Sequence, residues 1–300
     1  PFYHIYGMTV ILNSALSHGA TVVCMSRFDL EQFLVLMQKH EVTRAHLVPP
    51  IVLALAKHPM VEGYAFPKLK TIMSGAAPLG PELAEDCARR LGCTVKQGYG
   101  LTETSPVTHL NPEPPGRVVP GSIGICIPNT ECRIVDYETG KDLGTGMQGE
   151  LWIRGPQVMK GYLNNEEATN QTIDPEGWLK TGDIAEVDEE GYFKIVDRVK
   201  ELIKYKGFQV APAELEALLL THPSIADCAV VPAEDPEAGE IPVGFVVYKE
   251  NMLENPETIM EFIAQKVSPQ KKIRRIIQIE QIPKSPSGKI LRRHLRDQIA

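Results

Sequence analysis

Cysteine pairs at metal or redox spacing are missing from this chain. None of its six cysteines (Cys24, Cys87, Cys93, Cys126, Cys132 and Cys228) forms a Cys-x-x-Cys pair, so the spacing suggests neither a zinc site nor a thioredoxin-type motif. They read as reduced, mostly buried thiols of a cytosolic protein. Long apolar runs are also lacking: the most apolar opening stretch, residues 5–25, is broken by Asn13, Ser14, Ser17 and His18, so no transmembrane segment is expected. No secretory leader is read either. A basic excess is absent too, with 31 Lys and Arg against 38 Asp and Glu and a net charge of −7, which argues against a nucleic-acid partner.

What is present is the composition of a globular protein. The chain has 300 residues, 43% hydrophobic and 23% charged, enough for two domains with buried cores. It starts at Pro1 inside an apolar pattern, as a piece of something longer would. Charge is uneven: the last thirty residues hold Lys271, Lys272, Arg274, Arg275, Lys284, Lys289, Arg292, Arg293 and Arg296 against Glu280 and Asp297. That pattern suits a solvated helix face, or a surface that meets an anion.

Strand and helix signals alternate over residues 1–110. GATVVCM (residues 19–25) reads as a buried parallel strand, and Asp29 caps a helix running to about His40. TRAHLV is a second strand, and Pro50 opens a helix. TIMSGAAPLG is a third strand leading to a helix from Pro81 to Leu91, and TVKQ follows. The order predicts a parallel sheet with helices on its faces, its ligands at the carboxyl ends of the strands. Between residues 111 and 161 the pattern changes to short alternating strands, GSIGICIP, ECRIVD and GELWIRG, which predict a β subdomain. A boundary follows in residues 197–216, where Pro212 opens a helix. After it, IADCAVV, PVGFVVY, a helix from about Pro256 to Val267, RRIIQIEQIP and a last helix predict a small α+β unit.

Candidate site residues concentrate in residues 97–107, QGYGLTETSPV. Gly98 and Gly100 let backbone approach a ligand where a Cβ would collide. Tyr99 can stack on a flat base, and the Thr102 hydroxyl can bond a phosphate oxygen. Glu103 is a hard oxygen ligand of the kind Mg²⁺ takes when it also holds substrate phosphates. An isolated Gly-x-Gly is equally a plain turn. His4, among aromatic residues, suits a core histidine as well as a catalyst. Asp183, after Thr-Gly, can take two ribose hydroxyls or serve its own turn. Lys289, in the Gly-punctuated loop SPSGKILRR, is either a mobile point charge for phosphate or a surface lysine.

Taken together, PFYHIYG, SGAAPLG, QGYGLTE, GWLKTGDIA, the DR…KYKGFQVAPAELE block and PKSPSGKILRR resemble, in that order, the adenylate-forming (AMP-binding) superfamily. That superfamily takes in acyl-CoA synthetases, coumarate–CoA ligases of phenylpropanoid chemistry, beetle luciferases and peptide-synthetase adenylation domains. YKGFQVAPAELE and SGAAPLG look most like the coumarate–CoA ligase and luciferase branch. The resemblance implies an α/β plus α+β fold, with part of a large domain at 1–197 (sheet region 1–110, β subdomain 111–197). A hinge at 198–200 and a small mobile C-terminal domain at 201–300 complete it.

It also implies a cytoplasmic ATP-dependent acid–thiol ligase that uses Mg²⁺ and coenzyme A on a small carboxylic acid, hydroxycinnamate-like; a peroxisomal full-length parent is also compatible. The alternatives are a fatty acyl-CoA synthetase, a luciferase-like enzyme, or a non-catalytic AMP- and CoA-binding fragment. By resemblance Ala76, Gln97, Gly98, Tyr99 and Thr102 contact AMP or ATP, Asp183 and Arg198 grip the ribose, and Lys200 is the hinge. Glu103 holds the metal. His4, Lys204, Gln209 and Lys289 are catalytic, and Arg27, Lys206 and Gly207 meet coenzyme A. Tyr6, Gly75, Gly100, Pro106 and Val107 wall the acyl pocket. The superfamily's Ser/Thr/Gly-rich phosphate loop has no counterpart in these 300 residues, so weak adenylation is expected of the chain by itself.

Overall fold

The protein is described from a computed structural model covering residues 1–113, 117–250, 252–285 and 288–299. Its contacts divide it into two units, Pro1–Thr181 with Glu186–Ile195, and Gly182–Ala185 with Val196–Ala300.

The first unit opens on a π-helical segment, Tyr6–Asn13, that runs into helix α1 (Ser14–Ser17). Helix α2 (Leu30–Lys39) begins where expected, because the Asp29 carboxylate accepts the Gln32 backbone N–H at 2.8 Å and so satisfies one of the orphan donors of the first turn. Strand β1 (Arg44–Leu47), helix α3 (Pro49–Lys57), strand β2 (Thr71–Ser74), helix α4 (Pro81–Leu91) and strand β3 (Thr94–Gly100) follow. Proline stands in the first turn of both α3 and α4, and Gly92 ends α4 at a φ of 64°, the left-handed stop that glycine accepts without strain.

β1, β2 and β3 pair in parallel, Arg44 beside Thr71 and Ser74 beside Gln97. β4 (Val107–Leu110) and β5 (Ile125–Cys126) extend the same sheet antiparallel. Leu34, Val52, Leu55, Ile72 and Cys87 are fully buried in one cluster, so α2, α3 and α4 cover this sheet with their apolar faces. A second sheet has the order β6 (Glu131–Val135), β7 (Gly149–Arg154), β8 (Leu179–Val187), β9 (Phe193–Arg198), with helix α5 (Glu166–Thr172) between β7 and β8.

The second unit holds the hairpin β10 (Ile203–Tyr205) and β11 (Phe208–Val210), then helix α6 (Pro212–Leu220). The long pair β12 (Ile225–Asp235) and β13 (Gly239–Tyr248) follows, then helix α7 (Pro256–Ala264), strand β14 (Arg275–Gln278) and helix α8 (Arg292–Arg296). β12 reads as one apolar run because both its faces are covered. Cys228 and Val230 point to a cluster with Leu215, Leu219, Ile259 and Ile263. Ala229 and Val231 join Phe245, Ile282 and Leu295 in another cluster.

Four expectations change. Residues 19–25 are not a strand: they have no ladder partner, and Val23 is 36% exposed. A β-rich run becomes a strand only where a neighbour takes its N–H and C=O groups, and the described residues supply none here. The cysteines are not mostly buried; only Cys87 and Cys228 are, and Cys24 is exposed. The basic C-terminal stretch is neither a solvated face nor an anion cradle as a whole. Lys271 pairs with Glu214 (2.7 Å), Lys284 with Asp227 (2.6 Å), Arg292 with Glu216 (2.7 Å) and Arg296 with Glu201 (3.3 Å). The third strand also stops at Ser74, so SGAAPLG is mostly loop. Within PKSPSGKILRR, Pro286 and Ser287 lie outside the described residues. No helix is long and apolar enough to cross a membrane among the described residues.

Candidate functional site

The carboxyl ends of β2 and β3, neighbouring parallel strands, bring two loops to one rim, where open α/β sheets collect ligands. Gly75 follows β2, and a methyl group there would stand 3.2 Å from Cζ of Tyr6. Glycine is therefore what allows the Tyr6 ring to lie on the loop. The Tyr6 hydroxyl donates to the Met73 carbonyl at 3.1 Å, and burial pushes its phenol well above the ordinary value. Ala76 takes a φ of 72°, a left-handed conformation that costs a residue with a Cβ roughly 1–2 kcal/mol. Such local strain is concentrated at ligand-binding loops.

Gln97 is 94% buried, and its amide holds both the N–H and the C=O of Leu79 at 3.1 Å. It clamps the far end of the SGAAPLG loop, so its contribution to a base site is to position that loop. Gly98 lies close under Leu110 and the His109 carbonyl. The Tyr99 ring meets the His109 ring edge-on, with centroids 5.9 Å apart. Gly100 touches Pro106 and Val107: a Cβ on Gly100 would fall 1.9 Å from the Pro106 carbonyl oxygen. The chain then makes a 3₁₀ turn, Thr102–Thr104, with Thr102 exposed.

Glu103, in that turn, is held by a residue that sequence reasoning missed. The Tyr162 hydroxyl donates to Glu103 Oε1 at 2.8 Å, and the Met159 N–H donates to the Glu103 carbonyl at 2.7 Å. Burial, with Glu103 beside it, raises the Tyr162 phenol above its usual value, which keeps it a donor. Oε2 remains for a cation, and one carboxylate oxygen alongside phosphates is a donor set that fits Mg²⁺. Nothing local marks Tyr162, which lies 59 residues from Glu103. His4 Nδ1 accepts the Tyr6 backbone N–H at 3.2 Å at the start of the π-helical segment. Arg27 is exposed in the loop before α2.

The remaining candidates lie in the second unit and form two groups. Asp183 is 5% exposed and accepts from Arg198 Nε at 3.0 Å. The Lys289 backbone N–H donates to Ser285 Oγ at 3.1 Å. Partial burial and then Arg198 hold the Lys289 ammonium below the ordinary lysine value, against the opposing pull of Asp183 and Glu201. Lys289, Asp183 and Arg198 thus share one electrostatic neighbourhood. The other group is the β10–β11 hairpin. Its two turn residues, Lys206 and Gly207, both have positive φ, 47° and 80°, the geometry of a type I′ turn. Lys204 stands directly opposite Gln209 across the hairpin, both exposed. Lys200 is exposed just beyond β9.

The family model of AMP-binding enzymes matches residues 1–163, and that of the AMP-binding enzyme C-terminal domain matches residues 214–289. The chain is 50% identical to 4-coumarate–CoA ligase 2 of Nicotiana tabacum over 305 aligned residues, covering 100% of this chain and 56% of that protein. Among solved structures, ATP-bound MatB from Rhodopseudomonas palustris superposes with a TM-score of 0.90 at 28% identity, over 99% of this chain and 58% of that one. An anthranilate CoA ligase in complex with anthranoyl-AMP gives a TM-score of 0.92 at 25% identity, over 99% and 58%. The chain spans little more than half the length of the curated relatives it matches.

Proposed function

Because the chain belongs to the AMP-binding enzyme family, we propose that it carries the nucleotide, acyl and thioester-forming residues of an ATP-dependent carboxylate–CoA ligase acting on a hydroxycinnamate-like acid. The observation that carries this reading is the rim formed by β2 and β3, where Tyr6 on Gly75, Tyr99, Gly100 and the Tyr162-held Glu103 stand on adjacent strand ends. The name of the 4-coumarate–CoA ligase relative supports the choice of acid.

In this reading the acid's carboxylate attacks the α-phosphate of ATP, pyrophosphate leaves, and the thiol of coenzyme A then displaces AMP from the acyl-adenylate. Such transfers depend mostly on positioning and on neutralising charge. Mg²⁺, when bound, supplies part of that neutralisation. On the protein side, Glu103 offers the metal an oxygen and the Thr102 hydroxyl meets phosphate. Tyr99, Gly98 and the loop bearing Ala76 frame the adenine, with Gln97 holding the loop in place. Asp183, paired to Arg198, accepts the ribose hydroxyls. Lys289 covers the charge that develops on the phosphoryl oxygens.

Tyr6, Gly75, Gly100, Pro106 and Val107 wall the acyl group, and His4 orients its carbonyl. Lys204, Lys206, Gly207 and Gln209, gathered on one hairpin, serve the thioester step with Arg27 meeting coenzyme A, and Lys200 is the pivot between the two half-reactions.

Pyrophosphate release from Mg²⁺-ATP, measured over a panel of hydroxycinnamates, benzoates and medium-to-long fatty acids, tests the reading, with acyl-CoA assayed after coenzyme A is added. Release led by a hydroxycinnamate supports it. Release led by a fatty acid replaces the substrate class. AMP binding with no release from any acid moves the chain to a nucleotide-binding role without turnover.

A further inference from the structure

Behind the Tyr99 ring lies a group of side chains that the ligase chemistry does not use. β4 and β5 pair so that His109 stands directly opposite Cys126, and Cys132, the second residue of β6, brings another sulfur to the same ring. His109 Nε2 is 3.4 Å from the Sγ of Cys126 and 3.4 Å from the Sγ of Cys132, and the three atoms all lie within 4.8 Å of one another. His109 is fully buried, while both cysteines are partly exposed free thiols.

This is the spacing of a ligand set. Tetrahedral bonds of about 2.3 Å to sulfur and about 2.0 Å to imidazole nitrogen place the two donor atoms roughly 3.5 Å apart. Both nitrogen–sulfur separations are therefore already close to those of a bound ion. The far side of the ring is arranged to match. His109 Nδ1 lies 3.0 Å from Thr108 Oγ1, and that hydroxyl donates to the Tyr99 carbonyl at 3.4 Å. A hydroxyl has one proton to give, so it accepts from Nδ1–H and leaves Nε2 as the atom presented to the sulfurs. A fixed partner on the second ring nitrogen is the usual companion of a metal-binding histidine. Phe193 holds the ring plane, with centroids 4.5 Å apart.

We propose that His109, Cys126 and Cys132 form a Cys₂His site for a thiophilic divalent d¹⁰ ion, zinc(II), with water in the fourth position. Binding exchanges thiol protons for the ion, and the protons pass to solvent. An ion here ties β4, β5 and β6 to the histidine that backs Tyr99. The site stands on its own geometry and does not depend on the ligase reading.

Cobalt(II) titration of the reduced, metal-free 300-residue chain tests it. One equivalent is expected to bind with sulfur-to-cobalt charge-transfer absorption and the strong visible bands of a four-coordinate ion, all displaced by zinc. Cys126→Ser and Cys132→Ser should each weaken the charge transfer, and the double variant should lose it, whereas Cys24→Ser should keep it. Zinc should raise the thermal midpoint of the wild type and of Cys24→Ser but not of the double variant. No charge-transfer band in the wild type overturns the proposal, a measurement that needs no variant to fold. A band that survives in the double variant overturns it as well. So does a Cys126–Cys132 disulfide that forms under air in the presence of zinc, dioxygen taking the two electrons.

Discussion

Replacing Gly100 by alanine isolates the steric demand at the centre of the rim. The added methyl would sit 1.9 Å from the Pro106 carbonyl oxygen, 2.5 Å from its carbonyl carbon and 3.0 Å from the Val107 Cα. All three are backbone atoms, so no flexible side chain can swing away, and the ends of β3 and β4 must part by more than an ångström. That movement breaks the Leu101 N–H bond to the Pro106 carbonyl (3.1 Å) and the Thr104 hydroxyl bond to the same oxygen. At about 0.5–1.5 kcal/mol for each hydrogen bond, plus distortion of the turn, the expected loss is roughly 2–4 kcal/mol. The displaced turn carries Thr102 and Glu103, so AMP and Mg²⁺-ATP affinity should fall with stability.

Gly63→Ala is the control, since a Cβ there meets nothing within 4 Å; it should stay within about 0.5 kcal/mol of wild type. Both tryptophans, Trp152 and Trp178, lie in the first unit, so their emission in a urea titration follows the unit that contains the substitution. A Gly100→Ala protein as stable as Gly63→Ala, with unchanged AMP affinity, would refute the reasoning.

Three other outcomes are expected. Lys96 has a wholly buried side chain and donates to Glu113 at 2.6 Å and to the Asn111 carbonyl at 3.1 Å. The hydrogen bond from Arg44, and then Lys96, hold the half-exposed Glu113 below the ordinary carboxylate value. A depressed value means stability that is fully present above the ordinary carboxylate pKa and is lost as pH falls through the lower, folded one. Glu113→Gln should therefore cost about 1–2 kcal/mol at neutral pH, with solvent around Glu113 limiting the effect. The gap from wild type should close in acid, and a pH-independent gap in urea unfolding would contradict this account. Tyr162→Phe removes the donor to Glu103; Mg²⁺-ATP binding should weaken roughly threefold to tenfold with the thermal midpoint nearly unchanged, read by calorimetric titration. Arg292→Ala leaves Glu216, 12% exposed and bonded at 2.7 and 2.9 Å to that guanidinium, without its partner. The second unit should lose about 3–5 kcal/mol, and Glu216→Gln on top should recover part of it. A double variant no better than Arg292→Ala would show that the pair is not what is lost.

The sequence by itself determined what nearest neighbours along the chain can encode. Asp29 before an apolar face started α2, Pro81 and Gly92 bracketed α4, and the uninterrupted apolar runs became the doubly covered strands β12 and β13. The order of short motifs was enough to identify the family, because each motif lies within twenty residues. Tertiary structure decided everything that depends on two distant segments meeting. Residues 19–25 have strand propensity but no partner for their backbone groups, so they are not a strand. Gln97, read from its motif as a base contact, spends both ends of its amide on Leu79. Four of the nine basic residues in the C-terminal stretch are held by acids on α6 and β12 and by Glu201. Tyr162 reaches Glu103, and His109 reaches two cysteines whose spacing carries no metal signature. Propensity acts over a few residues, whereas sheet register and side-chain packing act across the whole fold, and only they place one side chain's atoms within bonding distance of another's.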